Sequence, residues 1–205
     1  MDKLFTYLDK LFPNPKCELN YNKDYELLIA TLLSAQTTDK RVNKVTAVLF
    51  KKYPSIKVLS EAKISDIEDI IREIGTFRRK AYYIHEICSK LVSDNYDYIP
   101  NNRAYIENLP GVGHKTANVF LSNIYNEPSL AVDTPVARVS KRLGLAKEND
   151  DVLKIEKKLM KVVPKDRWIR THHQLVLFGR YHCMAKKPNC KNCELRDICK
   201  EKTAN

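Results

Sequence analysis

Nowhere in the 205 residues is there an apolar run of the roughly 18 residues that a membrane-spanning helix requires. The N-terminus, MDKLFTYLDKLF, mixes charges into its apolar residues, so it does not read as an export signal. No membrane partner is expected, and the cytoplasm is the expected compartment. Strand-like alternation is scarce, and no repeat or low-complexity tract occurs, which argues against solenoids and long flexible linkers. Glycine is also rare, with 5 in the chain, and two of these, Gly111 and Gly113, fall within three residues of each other. Six cysteines without an export signal suggest reduced thiols and metal binding rather than disulfides.

Helical periodicity fills the space these absences leave. Leu4, Leu8 and Leu11 line one face of a short N-terminal helix. Leu27, Leu28, Ile29, Ala30, Leu32 and Leu33 are apolar nearly all round, as a central buried helix would be. Val42, Val45 and Leu49 form the next stripe. Ser65 and Glu68 suggest a capping box ahead of Ile67, Ile70, Ile71 and Ile74, with Gly75 placed to end that helix. Ala81, Ile84, Cys88 and Leu91 follow, then Ala117, Phe120, Leu121 and Ile124. Val152, Ile155, Leu159 and Val162 form a later stripe, and Trp168, Leu175 and Phe178 the last. The expected fold is all-α with short polar connections, and the length suits one large or two small domains.

Charge is unevenly spread. Lys and Arg number 36 against 25 Asp and Glu, a net +11. Residues 1–102 hold 16 basic and 14 acidic side chains, whereas residues 103–205 hold 20 and 11. A basic half of this kind suits a polyanion, most commonly nucleic acid. A lysine-rich solvated surface is the bland alternative.

The segment LPGVGHKTAN at 109–118 favours the polyanion. Asn101 or Asn102 can cap a short helix running to Asn108. Pro110, Gly111 and Gly113 then reverse the chain, and a second helix begins near His114. A turn without side chains lets backbone N–H groups approach a phosphate, and the helix N-terminus adds unpaired donors. Such contacts hold DNA without reading its sequence. Leu109, Gly111, Val112, Gly113 and His114 are the candidate DNA-binding residues of this turn. A lone glycine turn would more often be a plain αα-corner; here the helix on each side, the Leu-Pro lead-in and the basic context tip the balance. Lys115 follows at once. A helix N-terminus and burial against a nucleotide both disfavour its charged form, leaving the amine that attacks carbon. A simple phosphate contact is its other reading. Asp133, in AVDTPVARV, can act as base or electrostatic partner, and either Asp133 or Thr134 can also cap the helix that Pro135 opens.

Cys183, Cys190, Cys193 and Cys199 follow a Cys-x6-Cys-x2-Cys-x5-Cys spacing. Four thiolates so close in sequence suit either one iron–sulfur cluster or one tetrahedral zinc. Lys186, Lys187 and Lys191 lie within or beside the first loop, so the metal would shape a basic projection toward phosphate. His182 reads as a neighbour of the ligands or a surface residue, and Cys88 as core.

LLIATLLSAQTTD, LPGVGHKTANV, AVDT, HHQLVLFGRYHC and the cysteine spacing, taken together and in this order, resemble the endonuclease III family of helix-hairpin-helix DNA glycosylases over nearly the whole chain. The resemblance implies two helical lobes with a DNA cleft between them. One is a six-helix barrel lobe over residues 17–127, its helix-hairpin-helix at about 101–125; the other is an iron–sulfur lobe formed by residues 1–16 and 128–205. It implies a [4Fe–4S] cluster on the four cysteines, with zinc the alternative, and a monomer acting on double-stranded DNA that carries damaged pyrimidines or abasic sites, hence association with the nucleoid. Lys115 takes the place of the Schiff-base lysine, Asp133 that of the assisting carboxylate, and Gln36 that of the glutamine filling the hole left by the flipped base.

Two positions depart from the family pattern. Pro135 stands where a histidine often follows the Asp-Thr pair. Thr76 stands where a leucine wedge commonly follows the Ile-Gly pair, and Phe77 is the candidate to intercalate in its stead. The rival readings are a monofunctional mismatch or adenine glycosylase and a non-catalytic hairpin module that binds DNA. The resemblance opposes the first, because those relatives lack a lysine at this position and the adenine enzymes use a glutamate where Thr31 stands.

Overall fold

Eleven α-helices and two 3-10 turns make up the regular structure of residues 1–200, the residues that the computed structural model describes. Among these residues there is no strand, and the all-α expectation holds. Residues 201–205, assigned to the second lobe on sequence, lie outside the described residues. The chain divides into two compact units, an inserted unit of residues 17–125 and a terminal unit that joins residues 1–16 to those from 126 onward.

In the inserted unit the all-round apolar segment becomes α2 (Asp24–Leu33), buried from Tyr25 through Leu33. Each of its fully buried leucines contributes about 2 kcal/mol of hydrophobic stabilisation. The Glu26 carboxylate accepts N–H bonds from Asn22 at 2.6 Å and Lys23 at 3.3 Å, closing the first turn. Against α2 pack α3 (Asp39–Lys52) and α6 (Phe77–Ser93), and α4 (Ile56–Ser60) and α5 (Ile64–Ile70) pack in turn on α6. The short α7 (Arg103–Glu107) leads into α8 (His114–Ile124), which sets Ala117, Phe120 and Leu121 in the same core against α2.

The capping box expected at Ser65 is not formed. Helix α5 starts two residues earlier than that box would place it, with Lys63 as N-cap, because the Asp66 and Ile67 amides both bond to the Lys63 carbonyl, so Ser65 lies inside the first turn. Gly75 does not end this helix either. Ile71 is its C-cap, and Ile74 closes a further turn onto the Ile71 carbonyl.

The terminal unit is organised by α11 (Trp168–Tyr181), packed on α1 (Asp2–Leu11) and α9 (Thr134–Arg142), with α10 (Val152–Val162) against α9. Leu4 and Leu8 are buried as the stripe requires, while Leu11 is only half-buried and Tyr7 takes a core place. Of the α10 stripe, Ile155 and Leu159 are buried, while Val152 and Val162 stay exposed at the helix ends. Asp9 pins α1 to α11, accepting bonds from Arg167 (3.0 Å), Arg170 (2.9 Å) and Gln174 (2.8 Å).

Candidate functional site

The inserted unit carries the hairpin. Asn102 caps α7, its side chain accepting the Tyr105 N–H at 3.0 Å, and the Val112 amide bonds to the Leu109 carbonyl to close the turn. Gly111 has φ +73°, and a Cβ there would run into the Tyr83 ring. Tyr83, on α6, is therefore the floor of the turn, and Arg79 holds its hydroxyl at 2.6 Å. Leu109 and Val112 are buried, so their side chains anchor the hairpin and only their backbones can serve a ligand. Gly111, Gly113, His114 and Lys115 are exposed.

Gly113 is the N-cap of α8 and supplies no side-chain acceptor, which leaves first-turn N–H groups without the usual partner. That is the arrangement an anion can complete. His114 is engaged within the hairpin: Nδ1 lies 3.3 Å from Glu107 and Nε2 3.1 Å from the Asn118 amide. Arg103 bonds both Glu107 and Asn118, at 3.2 and 2.8 Å, so a polar network staples α7 to α8. Lys115 is the second residue of α8 and its side chain is exposed.

Both segments expected on sequence to enter the duplex leave ordinary backbone conformation. Gln36 (φ +59°) follows the C-terminus of α2, and Thr76 (φ +56°) is the N-cap of α6. Both are exposed. Phe77, by contrast, is half-buried against the core, with the Arg78 guanidinium 4.8 Å and that of Arg72 6.0 Å from its ring centroid. Of the two wedge candidates, Thr76 is the open one and Phe77 the packed one. Lys80, one turn into α6, is buried, and its ammonium donates to the carbonyls of Leu33 (3.0 Å) and Ala35 (2.7 Å).

The terminal unit carries Asp133 and the cysteines. Asp133 is the N-cap of α9, with Oδ1 accepting the Val136 N–H at 2.9 Å, and Oδ2 takes no part in the cap. Pro135 falls at the second helical position rather than the first. The close approach of α9 and α11 depends on Gly179, where an added Cβ would lie 2.8 Å from the Pro135 Cβ and 3.2 Å from its Cα.

All four cysteines are half-buried. Burial pushes the Cys193 thiol up, and Cys183, Cys199 and Cys190 add to this, so the four groups feel one another. Among the described residues, however, no three His, Cys, Asp or Glu side chains are set to hold a metal ion directly. Arg138 donates to the Gly179 carbonyl at 2.6 Å, and Arg142 to the Met184 carbonyl at 2.8 Å and to Cys183 Sγ at 3.5 Å. The Cys199 thiol faces the Arg142 carbonyl at 3.4 Å. These two arginines, four apart on α9, were not singled out on sequence; their spacing on a helix next to Asp133 was the available signal. His182 is buried, stacked on Phe178 at 4.9 Å, and is not a surface residue. Lys186, Lys187 and Lys191 are exposed, and Lys187 has φ +51°.

A family model described as HhH-GPD superfamily base excision DNA repair protein matches residues 29–165. Endonuclease III of Bacillus subtilis (strain 168) is 44% identical over 197 residues, covering 95% of this chain and 90% of that relative. Endonuclease III of Escherichia coli (strain K12) is 41% identical over 200 residues, covering 98% and 94%. Among solved structures, a non-covalent endonuclease III–DNA complex matches with TM-score 0.93 and 45% identity, covering 97% of this chain and 92% of that one. A trapped endonuclease III–DNA covalent intermediate gives 0.92 and 44%, covering 98% and 96%. With a helical fold, a glycine hairpin opening an uncapped helix, and this identity along nearly its whole length, the chain belongs to the endonuclease III family of the HhH-GPD superfamily of base excision DNA repair proteins.

Proposed function

We propose that the chain is a DNA glycosylase with abasic-site lyase activity, acting on oxidised pyrimidines of the thymine glycol type in double-stranded DNA. The observation that carries the reading is Lys115, an exposed amine in the first turn of a helix whose N-terminus has no side-chain cap, directly behind the glycine hairpin. The backbone of Leu109 to Gly113, with His114, grips phosphate, and Lys186, Lys187 and Lys191 add sequence-independent attraction.

A base inside the duplex is out of reach, so the nucleotide must be extruded at a cost of a few kcal/mol, least for a damaged base. Gln36 fills the space it leaves, and the Thr76–Phe77 turn, with Thr76 its exposed member, wedges the stack. The Lys115 amine then bonds to the deoxyribose C1′ as the bond from C1′ to the base breaks, and the base departs with the electron pair. Asp133 takes up the amine proton and offsets positive charge on the sugar. The sugar ring then opens as the C1′–O4′ bond breaks and O4′ takes up a proton, and the imine so formed between C1′ and the Lys115 nitrogen acidifies the C2′ proton. Its loss expels the 3′ phosphate oxygen by β-elimination, leaving a strand cut 3′ to the lesion.

The donor chemistry of Cys183, Cys190, Cys193 and Cys199 fits a [4Fe–4S] cluster, with zinc as the alternative. When bound, this group would supply local fold stability and fixed charge to the segment that carries Lys186, Lys187 and Lys191. The residues of the chain carry every step written above.

Borohydride trapping tests the proposal. Duplex DNA containing thymine glycol should yield a covalent adduct with the wild-type protein and none with Lys115→Ala. An adduct that survives in the variant removes Lys115 from its role. Protein purified without air should be brown, with iron and sulfide in equal amounts; colourless protein holding one zinc would decide for the alternative.

A further inference from the structure

Five residues other than glycine have positive φ among the described residues: Gln36, Thr76, Asn95, Asn126 and Lys187. Asparagine enters this region readily, whereas a β-branched threonine there is a true outlier and glutamine is uncommon. Gln36 and Thr76 are thus held by their surroundings, and both are exposed. One residue touches the supports of both. The Lys80 ammonium bonds the Ala35 carbonyl, next to Gln36, and the Leu33 carbonyl at the end of α2, while the Lys80 backbone N–H bonds the Thr76 carbonyl at 3.1 Å.

The chemistry of this placement is unusual. A buried ammonium is costly unless its donors are satisfied, and a neutral methionine or leucine would fill the same space without that cost. Here the donors go to main-chain carbonyls at a helix C-terminus, where the backbone lacks its own partners and a cation is favoured. Burial pushes the Lys80 ammonium down from its usual range, and the two carbonyls hold the proton on it. Helix interiors rarely need such a clamp. A loop that must keep a strained residue pointing outward does.

We infer that Lys80 is a positioning residue that locks the Gln36 turn to the Thr76 turn, so that the two enter a duplex as one preformed edge. The inference rests on the proposed role of Gln36 in filling the vacated base position. Lys80 itself touches no DNA. Its effect belongs to DNA from which a base is missing or extruded, because only there is the edge inserted.

The experiment measures binding of four proteins, wild type, Lys80→Met, Gln36→Ala and the double variant, to two duplexes. One carries a tetrahydrofuran abasic-site analogue and the other is undamaged. Lys80→Met should weaken binding to the analogue about tenfold and leave the undamaged duplex within twofold. In the Gln36→Ala background it should add less than threefold, since the side chain it positions has already gone. Equal weakening on both duplexes, or full additivity with Gln36→Ala, would overturn the inference. Lys80→Gln, shorter and neutral but still a donor, is the second variant should Lys80→Met not fold; it should show the same selective loss at smaller size, and a non-selective loss counts equally against positioning. If wild type itself fails to prefer the analogue or to be trapped by borohydride, the proposed function fails, and that result is distinct from any difference among the variants.

Discussion

Asp133 caps a helix and carries a proposed catalytic role, and one substitution can separate the two. Its Oδ1 caps α9 through the Val136 amide, and asparagine caps as well as aspartate does. Asp133→Asn should therefore leave the thermal midpoint almost unchanged, while base-excision turnover falls by about 10²- to 10⁴-fold through loss of the proton acceptor and negative charge. Asp133→Ala should lose the same turnover and in addition about 1 kcal/mol of stability. Melting curves alongside single-turnover kinetics check both, and an Asp133→Asn protein with full turnover would leave the residue a cap alone. The cap was readable from Asp-Thr-Pro. Lys80 was harder to read, because a lysine in RRKAYY looks like solvated surface. Its signal was positional: residues 80, 84, 88 and 91 share one helix face, and the last three are apolar. Extending the stripe by one turn would have placed a cation on the core side.

At the scale of elements, α9 and α11 meet where Gly179 lets the Pro135 backbone approach. Alanine is the better helix former by about 1 kcal/mol, so propensity alone predicts that Gly179→Ala stabilises. The new methyl would stand 3.2 Å from the Pro135 Cα and carbonyl oxygen, which cannot swing away as a side chain would. Overpacking of this kind costs about 1–3 kcal/mol, and the balance is a net loss. Because the shift falls on the first turn of α9, turnover should drop as well. Chemical denaturation of the variant settles the sign, and a gain in stability would show that α9 can move freely. Most helices were legible from apolar spacing, but the short α4 was not among them, α7 and α9 were read from their caps, and helix ends were poorly placed. Ser65 sits two positions too late to cap α5, since the Lys63 carbonyl already gathers two amides. Val152 and Val162 fit their stripe by spacing yet remain exposed, because a helix buries only the turns that have a neighbour.

For the molecule as a whole, the joining of both termini into one unit could not come from periodicity, which reports faces and not partners. It rests on pairings such as Asp9 with Arg167, Arg170 and Gln174, about 160 positions away, and on buried histidines in α11. These same groups set how the protein responds to acid. Burial, aided by the neighbouring His172, depresses His173 to about 4, so the folded state holds it neutral while the unfolded chain protonates near 6.5. The unfolded state then binds more protons between pH 6.5 and 4, and stability present at neutral pH is lost as pH falls through that window. The full loss is about 3 kcal/mol, or roughly 6–12 °C in the midpoint for a chain of this length. Burial by itself would raise Asp9, but bonds from Gln174, Arg167 and Arg170 outweigh it and hold the carboxyl at about 2. Its contribution persists above about pH 4 and disappears only as pH falls toward 2; with its carboxylate partly solvated, about 1 kcal/mol is at stake. Acid unfolding should accordingly proceed in two windows. His173→Gln should flatten the midpoint between pH 6.5 and 4 and leave the lower window intact, whereas Asp9→Asn should flatten only the lower one. A His173→Gln protein that retains the wild-type slope above pH 4 would show that this histidine is protonated in the folded state and that the acid sensitivity of α11 arises elsewhere.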